Sequence, residues 1–196
     1  MKNIRQDLIS TMFKTLYTEG YHACNLNDVL KRAGTSKGGM YHHFDSKQSL
    51  ALASIEDVLG SFIRTYWEEP IEQSENGMQT LLDLIRNLAC EDTNGNLDFD
   101  FQYGCPINNL IQELSANDDL FADSLREIFD RWEKAIVKAL AASRKLLRID
   151  IDINDVAAFI IASIEGSFTY AKIHHSQEAF YASMNQLILY IKSLLR

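Results

Sequence analysis

Between Ser36 and Lys47 the chain gathers groups that can contact a polyanion. Lys37 supplies an ammonium and Tyr41, one helical turn later, a phenol hydroxyl; His42 and His43 follow, and Lys47 adds a second ammonium. Donors of these types suit phosphate oxygens and a shallow reach into a major groove. Both lysines fall near the starts of expected helices, where a cation opposes the macrodipole, and a docked polyanion would relieve that conflict. Gly38 and Gly39 each cost about 1 kcal/mol inside a helix relative to Ala. In exchange they let bare backbone approach another surface closely. Taken singly, Tyr41 and Phe44 also suit a core, and paired histidines a solvated surface. As an ordered set they point to DNA.

The elements that must carry these groups are legible around them. Asn25 is a good N-cap with Asp28 in the first turn, and Leu26, Val29 and Leu30 share a face, so 26–32 reads as a short amphipathic helix. Ala33-Gly34-Thr35 reads as a tight turn in which Gly34 provides backbone freedom just past a helix end. Ser36 can cap a second short helix whose inward residues are Met40 and Phe44. Two short helices joined by such a turn form a helix-turn-helix.

Ser36-Lys37-Gly38, Tyr41-His42-His43-Phe44 and Ser46-Lys47 resemble the DNA-binding motif of the TetR family of bacterial transcriptional regulators, a likeness that covers residues 4–50. The remainder resembles the family in layout. The implied fold is all-α: an N-terminal helix-turn-helix three-helix head (1–47) and a C-terminal helical ligand-binding and dimerisation bundle (48–196). The implied DNA-binding set is Asn25, Thr35, Ser36, Lys37, Gly38, Gly39, Tyr41, His42, His43 and Lys47. One departure is Cys24-Asn25, where family members often carry Thr followed by Ser or Thr.

Composition agrees with a small basic head on an acidic body. The net charge is −8, yet residues 1–50 hold seven Lys/Arg against four Asp/Glu, while 51–196 hold twelve against twenty-three. Positive charge is thus concentrated where phosphate would dock, and an acidic body helps orient the docking. A 46% hydrophobic chain with only two prolines supports a full core of long helices. No unbroken apolar run approaches 18 residues and the start has no signal-peptide pattern, so a soluble cytoplasmic protein without membrane contact is expected. Cysteines 24, 90 and 105 make no disulfide framework.

Helical periodicity predicts a first helix over 2–19, ended by Gly20, and a long helix from Asp45 or Ser46 to about Trp67, halted by Pro70. That long helix is the only covalent link from head to body, and the resemblance implies that it swings to reset the spacing of two heads. Further helices are expected over 77–91, from Pro106 to Ser115, from Asp118 or Asp119 to about Arg144 with Leu120 in its inward stripe, over 155–174 and over 177–195. The acidic stretch 91–103 hints at calcium, but counting from Asp92 the sixth and twelfth positions are Leu97 and Tyr103, where an EF-hand needs Gly and Glu. His174-His175 reads as a helix-end feature. No metal or cofactor is expected.

Cys105 precedes Pro106, a good first helical residue, so its thiol falls where the helix dipole raises reactivity. Some TetR-type regulators carry Gly-Cys here, and a redox- or electrophile-sensing thiol is the sharp reading; a small packing residue is the plain one. Phe62, Tyr66, Phe129, Trp132 and Phe168 complete the candidate effector set, since pockets between helices are mostly apolar. The two wide apolar C-terminal helices resemble the family's dimer-forming pair.

These observations imply a homodimeric, ligand-responsive regulator of double-stranded operator DNA. It is expected to be a repressor released by a small-molecule effector or by thiol modification. An enzyme is disfavoured, since the chain has no Gly-rich phosphate loop, Cys-x-x-Cys or His-Glu-x-x-His. The alternative is a helical protein-interaction module with a vestigial head.

Overall fold

Helix α1 (Ile4–Glu19) opens on Asn3, whose side chain accepts the Gln6 N–H, and buries Leu8, Ile9, Met12 and Leu16 along one stripe. In this computed structural model, which describes residues 3–88 and 100–196, the described residues form helices and no strand. After α1 come α2 (Leu26–Ala33), α3 (Lys37–Tyr41) and α4 (Lys47–Ile55), then α5 (Glu69–Glu72) and α6 (Gly77–Leu88). The chain continues with α7 (Pro106–Leu114), α8 (Asp119–Ala142), α9 (Ile153–His174) and α10 (Gln177–Ser193). Residues 89–99, with Cys90 and most of the acidic 91–103 stretch, lie outside the described residues.

The chain divides into two compact units. One comprises Met1–Ser61 with Pro106–Ile128, the other Phe62–Cys105 with Phe129–Arg196. This differs from a boundary at 47/48, because α4, α7 and the start of α8 group with the head by packing. In the first unit α1 packs on α2, α4 and α7. In the second, α10 packs on α9 and α6.

Two expectations need correction. Pro70 does not halt the helix: between α4 and α5 the chain turns in wider π-type turns (Glu56–Gly60, Ile63–Glu68), with the Glu69 N–H reaching back to Arg64 O. Pro70 then falls in the first turn of α5, where its missing N–H is tolerated. Leu120 is not in the inward stripe of α8; it is 59% exposed, in the first turn of the helix, where Phe121, Ala122 and Leu125 turn inward instead. Among the described residues α9 is long and apolar enough, by length and composition only, to cross a membrane. Its buried stripe (Val156, Ile160, Ile164, Phe168) packs on α10, as in a core helix.

α9 ends on His175, whose left-handed φ of 48° lets its N–H bond the Ala171 and Lys172 carbonyls. A single antiparallel bridge, Leu147 to Leu195, ties the connector before α9 to the end of α10.

Candidate nucleic-acid interface and effector site

The turn between α2 and α3 follows its residues. Asn25 Oδ1 accepts the Asn27 N–H at 2.9 Å and starts α2. Gly34 adopts φ 67°, which closes the end of α2 and lets the Thr35 N–H reach Leu30 O at 3.0 Å. Ser36 Oγ then accepts the Gly39 N–H at 3.2 Å to start α3. Buried Met40 and Phe44 hold α3 on the core, with the Arg5 guanidinium 5.3 Å from the Phe44 ring centroid.

With that face fixed, Lys37, Gly38, Tyr41, His42 and His43 all lie exposed, and Tyr41 keeps 54% of its surface in solvent. Thr35 and Gly39 are half-buried. A Cβ on Gly39 would meet Thr35 Oγ1, so this glycine relieves crowding within its own turn; one on Gly38 would make only ordinary contact with Ser36 Oγ at 3.8 Å. Arg32 pairs with Glu19 at 3.0 Å on the exposed surface.

Two residues of the expected set are used differently. Asn25 spends its side-chain oxygen on the α2 cap. Lys47 turns inward: its Nζ donates to Tyr21 O at 2.6 Å and Cys24 O at 2.7 Å, and lies 4.3 Å from the Tyr21 ring centroid. It staples the loop after α1 to the start of α4. Cys24 is buried, its Sγ 3.8 Å from Met12 Sδ, and burial pushes its thiol pKa up, so it packs rather than reacts.

The same loop is gripped from the other side by Glu113, which the sequence tied to the Cys105 motif and not to this loop. The Tyr21 and His22 N–H groups donate to Glu113 of α7 at 3.0 and 2.8 Å. Tyr21 also packs edge-on against Phe121, and Gln48 Nε2 donates to Asp118 Oδ2 at 2.7 Å. No local signal marks Glu113 as a partner of residue 21.

In the second unit four expected effector residues gather around one that was not named, Trp67. Phe62 stacks on Tyr66, Tyr66 meets Trp67 edge-on, and Trp67 lies 5.5 Å from Trp132, which Phe129 contacts in turn. The Tyr66 hydroxyl donates to Leu84 O at 2.7 Å. Phe168 belongs to another cluster, with Phe101 and Phe180.

Cys105 is 6% exposed and donates through Sγ to Glu165 Oε1 at 3.2 Å. Burial raises the Glu165 pKa to about 7, opposed by the thiol hydrogen bond. Glu165, a lone acid in an apolar run, is a residue that sequence reading passed over. Among the described residues no group of three or more His, Cys, Asp or Glu could hold a metal.

The chain's similarities follow this layout. Residues 8–54 match the family described as bacterial regulatory proteins, tetR family, and residues 84–187 match the tetracyclin repressor-like C-terminal domain. A transcriptional regulator of the helix-turn-helix type from the lacX 3' region of Lactococcus lactis is 29% identical, covering 88% of this chain and 85% of that protein. The transcriptional repressor DhaR of Mycobacterium sp. strain GP1 is 25% identical, covering 89% and 85%. The crystal structure of E. coli NemR in its reduced form superposes with a TM-score of 0.81 at 20% identity, covering 99% of this chain and 97% of that one. The second match alone spans more than half of the chain. The protein belongs to the TetR family of bacterial transcriptional regulators and is a DNA-binding regulator, not an enzyme.

Proposed function

We propose that the protein is a homodimeric repressor that leaves its operator when a small molecule binds the body or when Cys105 is modified. The observation that carries this reading is the exposed set Lys37, Tyr41, His42 and His43 on α3 and the turn that follows it, held by buried Met40 and Phe44. Thr35, Ser36, Gly38 and Gly39 join that set as backbone and hydroxyl contacts. Asn25 and Lys47 act by shaping the head instead.

One short helix reads few bases, so two heads are needed, spaced about one helical turn of DNA, on the order of 34 Å. Phe159, Tyr170 and Ile173 on α9 and Leu189 on α10 remain exposed and supply an apolar face for a second copy. The description of DhaR as a repressor supports the sign of regulation. An effector acts by binding one body conformation better than the other, which shifts the population away from the correct head spacing.

For Cys105, covalent modification removes its hydrogen bond to Glu165 and adds bulk where 6% of the residue is exposed. With N-ethylmaleimide an S–C bond forms and the thiol proton ends on the adjacent ring carbon. A NemR structure specified as the reduced form carries the same fold.

The test is binding to duplex DNA from upstream of the protein's own gene at two salt concentrations. Specific binding is expected for wild type and lost in Tyr41→Ala, with release by N-ethylmaleimide abolished in Cys105→Ser. Wild-type binding no tighter than to random duplex would overturn the reading. Release persisting in Cys105→Ser would remove the thiol route alone.

A further inference from the structure

The body holds two buried hydrogen-bond donors that find no acceptor among the described residues. Trp67 and Trp132 are 0% and 4% exposed, their rings 5.5 Å apart, and neither Nε1–H has an acceptor among the described residues. A buried donor without a partner keeps its full desolvation penalty, so native interiors rarely leave one and seldom two side by side. The surroundings narrow what could satisfy them. Phe62 and Phe129 are apolar, and the Tyr66 hydroxyl is committed to Leu84 O, so the groups left seeking partners here are donors. A complementary molecule must bring an acceptor.

It should also be neutral. Burying an anion demands a dedicated counter-charge. The adjacent cation, Arg131, is held by Glu68 through two bonds of 3.0 and 2.9 Å. Glu68 and Arg131, each next in sequence to one of the indoles, line a surface depression of about 130 Å³. Ala135, one turn beyond Trp132, also lines it.

We infer that Trp67 and Trp132 are the polar contact of an effector site for a neutral, largely apolar molecule carrying a carbonyl oxygen, an inference that rests on the effector-responsive reading above. The carbonyl accepts from one or both indoles while its apolar part lies among the rings.

The chain has two tryptophans, so exactly this pair supplies the indole N–H signals of a ¹H–¹⁵N spectrum. Full-length protein is titrated with acetophenone and with α-methylstyrene, which has the same shape but a CH₂ group in place of the oxygen. Acetophenone is expected to move at least one indole proton downfield and to bind at least tenfold tighter. Replacing the shifted residue, Trp67→Phe or Trp132→Phe, is expected to erase that preference. Because either variant could unfold, the comparison of the two probes on wild type stands alone as a test. Equal binding of both, no indole movement, or indole protons already at a hydrogen-bonded shift through an ordered water overturns the site. Downfield movement without loss of operator affinity leaves the site standing and overturns its effector role.

Discussion

The carboxylate of Glu113 accepts the backbone N–H groups of Tyr21 and His22, 92 and 91 positions earlier in the chain, at 3.0 and 2.8 Å. Together with Lys47, which holds the carbonyls of Tyr21 and Cys24, it fixes both polar sides of the loop leading into the helix-turn-helix. Gly20 fits this grip, with φ 84° and a hypothetical Cβ only 2.9 Å from Glu113 Oε2. Hydrogen bonds to a charged acceptor are the stronger kind, though the His22 contact is exposed.

Glu113→Ala is therefore expected to lower stability by about 2 kcal/mol in chemical denaturation. The same change should speed hydrogen exchange at the Tyr21 and His22 amides. Unchanged protection at those two amides would refute the grip.

The two lysines of the head should separate by salt dependence. Lys37→Ala removes a charge facing the DNA and is expected to reduce the slope of log affinity against log salt by about 0.9. Lys47→Ala is expected to keep the slope and to cost about 1–3 kcal/mol of stability, because two carbonyls lose a charged donor. An equal drop in slope for both would place Lys47 on the DNA.

Glu165 gives a pH signature. Its folded pKa of about 7 lies above the ordinary 4.5, so between those values the folded state binds the proton more tightly than the unfolded. Stability should fall as pH rises through that window and level off above it. Glu165→Gln removes the ionisation and should gain on wild type with rising pH, by up to about 3 kcal/mol. Urea denaturation at about pH 5 and about pH 8 checks this; a difference that ignores pH excludes it.

Gly77 is required by packing rather than by backbone angle. A Cβ there would sit 2.6 Å from Ala139 O of α8, an atom that moves only with its helix. Gly77→Ala should destabilise by about 1–3 kcal/mol, against the gain of about 1 kcal/mol usual for this change inside a helix. A raised melting temperature would show that α8 yields freely.

The local part of this protein was legible in its residues. The caps of α2 and α3, the left-handed Gly34 and the inward pair Met40 and Phe44 act within a few positions, so their order alone placed Lys37, Tyr41, His42 and His43 outward. Long apolar periods likewise announced α1, α9 and α10 with small errors at their ends, and α6 as far as the described residues reach. Lys47 was readable as a helix-start cation but not as an inward staple, since its partners are carbonyls that only folding brings near. Pro70 looked like a terminator because wide helical turns leave no local mark. Glu113 on Tyr21, Cys105 on Glu165 and the unpartnered indoles of Trp67 and Trp132 depend on where distant helices come together. Capping and periodicity are properties of neighbours in the chain, and determined the head's outward face. Long-range hydrogen bonding and burial are properties of neighbours in space, and only the tertiary structure decided them.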